Sequence, residues 1–175
     1  MNKERILINE LDTFKKINSN VLAIFLALFG TLLLAISAKV QVPFWPVPMT
    51  MQTFVIFLIG MTYSVRLSFI TVALYLFEGA VGLPVFASGG GIAYLTGPTA
   101  GYLYGMLLAS ITISYFANLG FSKTYLKATF SLLIGSIIIF TIGILYLGSI
   151  IGFEKAIVVG LMPFIPSEIF KIALA

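Results

Sequence analysis

The chain has 175 residues, 60% of them hydrophobic and only 9% charged, at a mean hydropathy of +1.12. A soluble domain usually carries about 25% charged residues, so this reads as one integral membrane domain built of helices. With no cysteine and no histidine, disulfides, thiol nucleophiles, imidazole bases and the usual zinc or haem ligands are excluded; the net charge of +4 follows from where the basic residues fall and calls for no nucleic acid.

Residues 1–20 hold Lys3, Arg5, Lys15 and Lys16 against Glu4, Glu10 and Asp12, a polar lead-in expected to lie on the cytoplasmic membrane surface. Residues 21–175 are expected to form a single transmembrane domain. The run 21–38 is uncharged and of about spanning length, and no small-residue cleavage site follows it, so it is expected to stay as a first helix. Residues 39–48 break that helix with Pro43, Pro46 and Pro48 around Phe44 and Trp45. A second helix is expected over 49–61, a tight turn holding Arg66 over 63–67, and a third helix over 68–83. A fourth is expected over 99–119, Lys123 and Lys127 mark the next connection, and a fifth covers 128–151. Glu154 and Lys155 are expected in a short turn. The last stretch is apolar but broken by Pro163 and Pro166, which predicts a helical piece, a bend and a final helix from Ser167. Nine residues span about 14 Å, so that last helix is a half-span or the chain given is incomplete at its end.

The segment 82–101, GLPVFASGGGIAYLTGPTAG, sits between apolar runs yet cannot span. Gly89, Gly90 and Gly91 disfavour helix, and Pro84 and Pro98 each remove a backbone donor. It has no charge, so it is no solvated linker, and Phe86, Tyr94, Ser88, Thr96 and Thr99 suit it to covering a ligand. An ordinary interfacial connector is the alternative. With the N-terminus in the cytoplasm, the inner connections collect Lys3, Arg5, Lys15, Lys16, Arg66, Lys123 and Lys127, and the outer ones Lys39 and Lys155. Seven against two obeys the positive-inside bias and puts the unusual connections on the outer face.

Glu168 and Lys171 stand three apart in the apolar PSEIFKIALA, on one helical face. Ionisable residues at membrane depth are candidates for binding: lysine for a carboxylate, glutamate for N–H groups of a urea or amide. A mutually neutralising pair that anchors a helix end is the alternative. Glu78, roughly 20 Å along the third helix from Val65, belongs either to the pocket or to the outer interface. In PFWPVPMTMQTF, Trp45 is commonly just an interface residue, whereas Gln52 is an amide in an apolar helix and wants a partner.

The strings VPFWPVPMTMQTFVIFLIG, LYLFEGAVGLPVFASGGGIAYLTGPTAGYLYG and LMPFIPSEIFK, in this order, resemble the BioY family of biotin transporters, over about residues 35–171. These are substrate-binding (S) components of energy-coupling factor transporters. The family's PVPxTxQ falls on Pro46, Val47, Pro48, Thr50 and Gln52, its GLPVF on 82–86, and its GPTxGY on Gly97, Pro98, Thr99, Gly101 and Tyr102. Its closing acid and lysine fall on Glu168 and Lys171, although the family commonly has aspartate at the first and an aliphatic residue at Glu78. The resemblance implies a six-helix bundle in the bacterial plasma membrane that captures biotin from outside. It further implies a transmembrane coupling subunit and two cytoplasmic ATPases as partners, and neither a cofactor nor a metal. The candidate ligand set is Trp45, Gln52, Tyr75, Phe86, Ser88, Tyr102, Glu168 and Lys171; Ala23 and Ala27, spaced four apart, are candidates for the coupling contact.

Other readings are an S component for another vitamin, a passive channel or scaffold, and a small membrane enzyme using Glu168 and Lys171 as acid and base. The enzyme is disfavoured because the chain offers no metal-ligand cluster, histidine base or cysteine nucleophile. No G-x-x-x-x-G-K-[ST] string occurs, so energy for uptake is expected from partners.

Overall fold

The structure, a computed structural model, describes residues 19–175; of the expected polar lead-in over 1–20, residues 1–18 lie outside the described part. Helix α1 (Ser19–Lys39) is followed by a two-stranded antiparallel hairpin, β1 (Gln41–Val42) and β2 (Met49–Thr50). Then come α2 (Gln52–Thr62), α3 (Val65–Ala80), α4 (Ala100–Asn118), α5 (Tyr125–Ile151), α6 (Phe153–Gly160) and α7 (Ile165–Leu174). Short 3₁₀ turns occupy Ile92–Thr96, Phe121–Lys123 and Met162–Phe164. α6, its 3₁₀ turn and α7 form one broken run, Phe153–Leu174, long and apolar enough to cross a membrane, as are α1, α4 and α5. Five helices and this broken sixth span make the bundle.

Several boundaries differ from expectation for local reasons. Residues 49 and 50 extend the proline-rich turn as a strand instead of opening α2; Gln41 pairs with Thr50 and Val42 with Met49, and the Trp45–Pro46 peptide is cis. α3 begins at Val65, not after residue 67, because Ser64 caps it by accepting from the Leu67 amide at 3.3 Å. Arg66 therefore belongs to the helix, and α3 ends at Ala80 rather than 83. Lys127 lies in the first turn of α5, its ammonium 5.7 Å from the Phe121 ring centre. Glu154 and Lys155 are in α6, and Glu154 suits its first turn. Gly120 and Gly152, with φ +87° and +88°, turn the chain out of α4 and out of α5. Pro166 sits in the first turn of α7, where its missing N–H costs nothing, so α7 starts at Ile165 and continues the broken span.

Within a membrane, helices associate through close packing rather than through aversion to water, and small residues let backbones approach. Gly101 and Gly105, one turn apart on α4, meet α5 in this way: a Cβ on Gly105 would lie 2.8 Å from the Ile139 Cα, and one on Gly101 would meet Tyr146 and the Ile142 carbonyl. From α5, Gly143 gives the same room to the Tyr102 ring. Ser114 ties α4 to the end of α2 by donating to the carbonyls of Gly60 and Tyr63, both at 3.1 Å. The large apolar side chains of α1, among them Ile24, Phe25, Leu28 and Leu32, are exposed and face outward.

Candidate functional site

α7 is inside-out by the standards of a soluble helix. Ile165, Ile169, Phe170 and Leu174 are exposed, whereas Glu168 and Lys171 are 5% and 2% exposed. The three-residue spacing puts both charges on the face that meets α2 and α5. There the ammonium of Lys171 donates to the Thr50 carbonyl at 2.8 Å, to Thr53 Oγ1 at 2.9 Å and to Glu168 Oε2 at 3.3 Å. All three of its donors are used. Glu168 also accepts from Thr53 at 3.0 Å and from Ser136 at 3.3 Å. This buried pair is neutral overall and fully hydrogen-bonded, the condition under which burial of two charges is tolerable.

From Thr50 a second run of hydrogen bonds leads away. Its hydroxyl donates to Gln52 Oε1 at 3.1 Å, Gln52 Nε2 donates to the Tyr75 hydroxyl at 2.8 Å, and Tyr75 donates to the Val85 carbonyl at 2.9 Å. The amide that wanted a partner thus finds a phenol one helix away. Beside the pair lies a cavity of about 40 Å³, lined by Thr50, Gln52, Thr53, Glu168 and Lys171 and by largely apolar side chains that include Tyr94, Tyr102, Met106, Phe140 and Phe164. Tyr102 packs edge-on against Phe140 and stacks on Phe164 at 6.3 Å, with its hydroxyl donating to Gly160 at 2.9 Å across the break between α6 and α7. An apolar aromatic wall with a few placed polar groups is the usual make-up of a small-molecule site.

Of the expected ligand set, Gln52, Tyr102, Glu168 and Lys171 line this cavity together. Tyr75 and Phe86 stand behind the wall. Phe86 is wholly buried, stacked on Tyr94 at 4.9 Å and edge-on to Tyr75 at 5.5 Å, and it seats on Gly79, where any Cβ would overlap its ring. Trp45 and Ser88 are not brought in: Trp45 is 84% exposed at the hairpin tip, and Ser88 is exposed on the loop. The segment 82–98 is irregular as expected, but it reaches the cavity through Ala87 and Tyr94 rather than through Phe86 or Ser88. Ala27 is buried against the chain's own core, because α1 packs that face on α3, and Ala23 is partly buried; the surface α1 presents outward is made of its large residues. Glu78 is partly buried at the end of α3 and does not line the cavity. Thr53, Ser136, Phe140 and Phe164 went unread. Thr53 stood one residue from Gln52, whereas Ser136 gave no signal among the small residues of α5.

Fold and site together define a class: a multi-pass membrane protein with a buried charge pair beside a small aromatic-walled cavity. The comparisons narrow it. Residues 10–175 match the BioY family, and this chain belongs to that family. It is 34% identical over 168 residues to the probable biotin transporter BioY of Rickettsia prowazekii, covering 95% of this chain and 86% of that one. With the probable biotin transporter BioY of Pyrococcus horikoshii it shares 37% identity over 158 residues, covering 89% and 90%. Among solved structures it resembles the S-component for biotin from an ECF-type ABC transporter, with TM-score 0.79, 25% identity and coverage of 90% and 88%.

Proposed function

We propose that this chain is the biotin-capturing S component of an energy-coupling factor importer in a bacterial plasma membrane. Its relatives are biotin transporters by name, and its solved neighbour is an S-component for biotin. The observation that carries the reading is the satisfied Glu168–Lys171 pair under an aromatic wall. A ureido edge, with N–H and C=O side by side, complements this pair: the N–H meets Glu168, and the carbonyl meets Lys171 in exchange for one of the ammonium's three internal bonds. A ligand carboxylate set on Lys171 would also face Glu168, whose oxygen is 3.3 Å from the ammonium, and would add a second negative charge where dielectric screening is weak. We therefore place the ureido ring at the pair and the carboxylate tail toward the mouth, reversing the expectation that Lys171 takes the carboxylate. The fused rings fit the wall of Tyr102, Phe140 and Phe164.

The hairpin and the 82–98 loop contact each other at one end of the bundle, and the count of basic residues supports placing that end outside with the N-terminus in the cytoplasm. Uphill uptake then calls on a coupling subunit and two ATPases, since the chain has no Walker-type phosphate loop. The test is binding of labelled biotin to the purified protein without ATP, in competition with biotin amide and with an analogue whose ureido carbonyl is removed. Biotin amide should compete nearly as well as biotin and the ureido analogue at least about tenfold worse. Absence of biotin binding would defeat the proposal, and the opposite ranking of analogues would reverse the orientation.

A further inference from the structure

Three consecutive carbonyls of the 82–98 loop are each held by a side chain from a different element. Tyr75 of α3 donates to Val85, Lys39 at the end of α1 donates to Phe86 at 2.6 Å, and Gln41 of β1 donates to Ala87 at 3.3 Å. Lys39 and Gln41 are exposed and neither lines the cavity. An exposed lysine is ordinarily left to water; this one reaches a main-chain oxygen 47 residues away, and the loop residue it grips, Phe86, is the one wholly buried between Tyr75 and Tyr94. Ala87, the next residue, forms part of the cavity wall. The cavity, at about 40 Å³, is far below the roughly 300–1,000 Å³ of ordinary small-molecule sites, so seating a vitamin requires part of its lining to move, and the loop wall is one such part.

We infer that Lys39, with Gln41, is a positioning residue that latches the 82–98 loop over the cavity, so that it sets how fast ligand enters and leaves without touching ligand. The role of the cavity as the biotin site rests on the proposed function; the latch itself concerns the loop alone. Because the latch holds the closed wall, weakening it speeds opening, which raises association and dissociation rates together. A general loss of stability would not raise association.

The chain contains no cysteine, so a single Ala87→Cys reports exposure of the wall to a membrane-impermeant maleimide without background. In that chain, free of ligand, Lys39→Met should speed labelling about fivefold, the worth of one modest hydrogen bond, while Lys39→Arg stays near the parent. Gln41→Leu should act in the same direction and guards against a Lys39 variant that fails to fold. Unchanged labelling in both Lys39→Met and Gln41→Leu overturns the latch. Stopped-flow binding of biotin to Lys39→Met without the added cysteine should show both rates raised by a similar factor. Faster labelling in a protein that does not bind biotin would leave the latch standing and remove the proposed ligand.

Discussion

Replacing Lys171 by methionine tests the charge pair directly, because the substitution keeps an apolar stem as long as lysine's to Cε and removes the ammonium. Lys171 is 2% exposed, and its loss leaves Glu168, 5% exposed, with two hydroxyl donors and no counter-charge. Breaking a buried pair from one side costs about 3–5 kcal/mol. Adding Glu168→Gln removes the stranded charge, and replacing both members of such a pair by neutral groups is often close to neutral, so the double variant should recover most of that loss. Binding should behave differently. One charge-assisted hydrogen bond to ligand is worth about 1.5–3 kcal/mol, or roughly 10- to 150-fold in affinity, and the double variant cannot restore it. Thermal unfolding in detergent follows the first quantity and calorimetric titration with biotin the second. Two results would refute the reasoning: a double variant no more stable than Lys171→Met, or biotin affinity in Lys171→Met within about threefold of the parent, under about 0.7 kcal/mol.

Tyr75→Phe keeps the ring against Phe86 but strands Gln52 Nε2 and the Val85 carbonyl, and should lower stability by about 1–3 kcal/mol in a thermal melt. Tyr75→Leu, which also loses the ring contact, should be worse than Tyr75→Phe. Gly105→Leu forces atoms into the Ile139 backbone and should separate α4 from α5, costing at least about 1–3 kcal/mol; a monodisperse, fully stable variant on size-exclusion would contradict the close approach. Trp45→Ala, at an exposed position, should change stability and biotin binding by less than about 0.5 kcal/mol, and a tenfold loss of affinity would return the indole to the ligand.

Helix number, spans and membrane class were legible because bilayer insertion is written in long one-dimensional runs: residues 21–38, 99–119 and 128–151 carry no charged residue, and α1, α4 and α5 follow them closely. Boundaries moved where one local bond decided them, as when Ser64 capped α3 or Pro43, Pro46 and Pro48 gave a hairpin its turn. The close approach of Gly101 and Gly105 to Ile142 and Ile139 was not legible, because which face of α5 they meet is set only by packing.

By itself the sequence determined that this is a helical membrane chain, that Glu168 and Lys171 share a face, and that 82–98 cannot be a spanning helix. Composition, spacing and the conformational limits of proline and glycine are properties of short stretches. Which face of α7 turns inward, that Thr53 and Ser136 complete the acid's hydrogen bonds, that Tyr75 answers Gln52, and that Phe86 is a buried wedge while Trp45 stands in the open were decided by tertiary structure alone. Most of these depend on contacts between residues far apart in the chain, from 23 positions for Gln52 and Tyr75 to 121 for Lys171 and Thr50, and such contacts exist only once helices have packed.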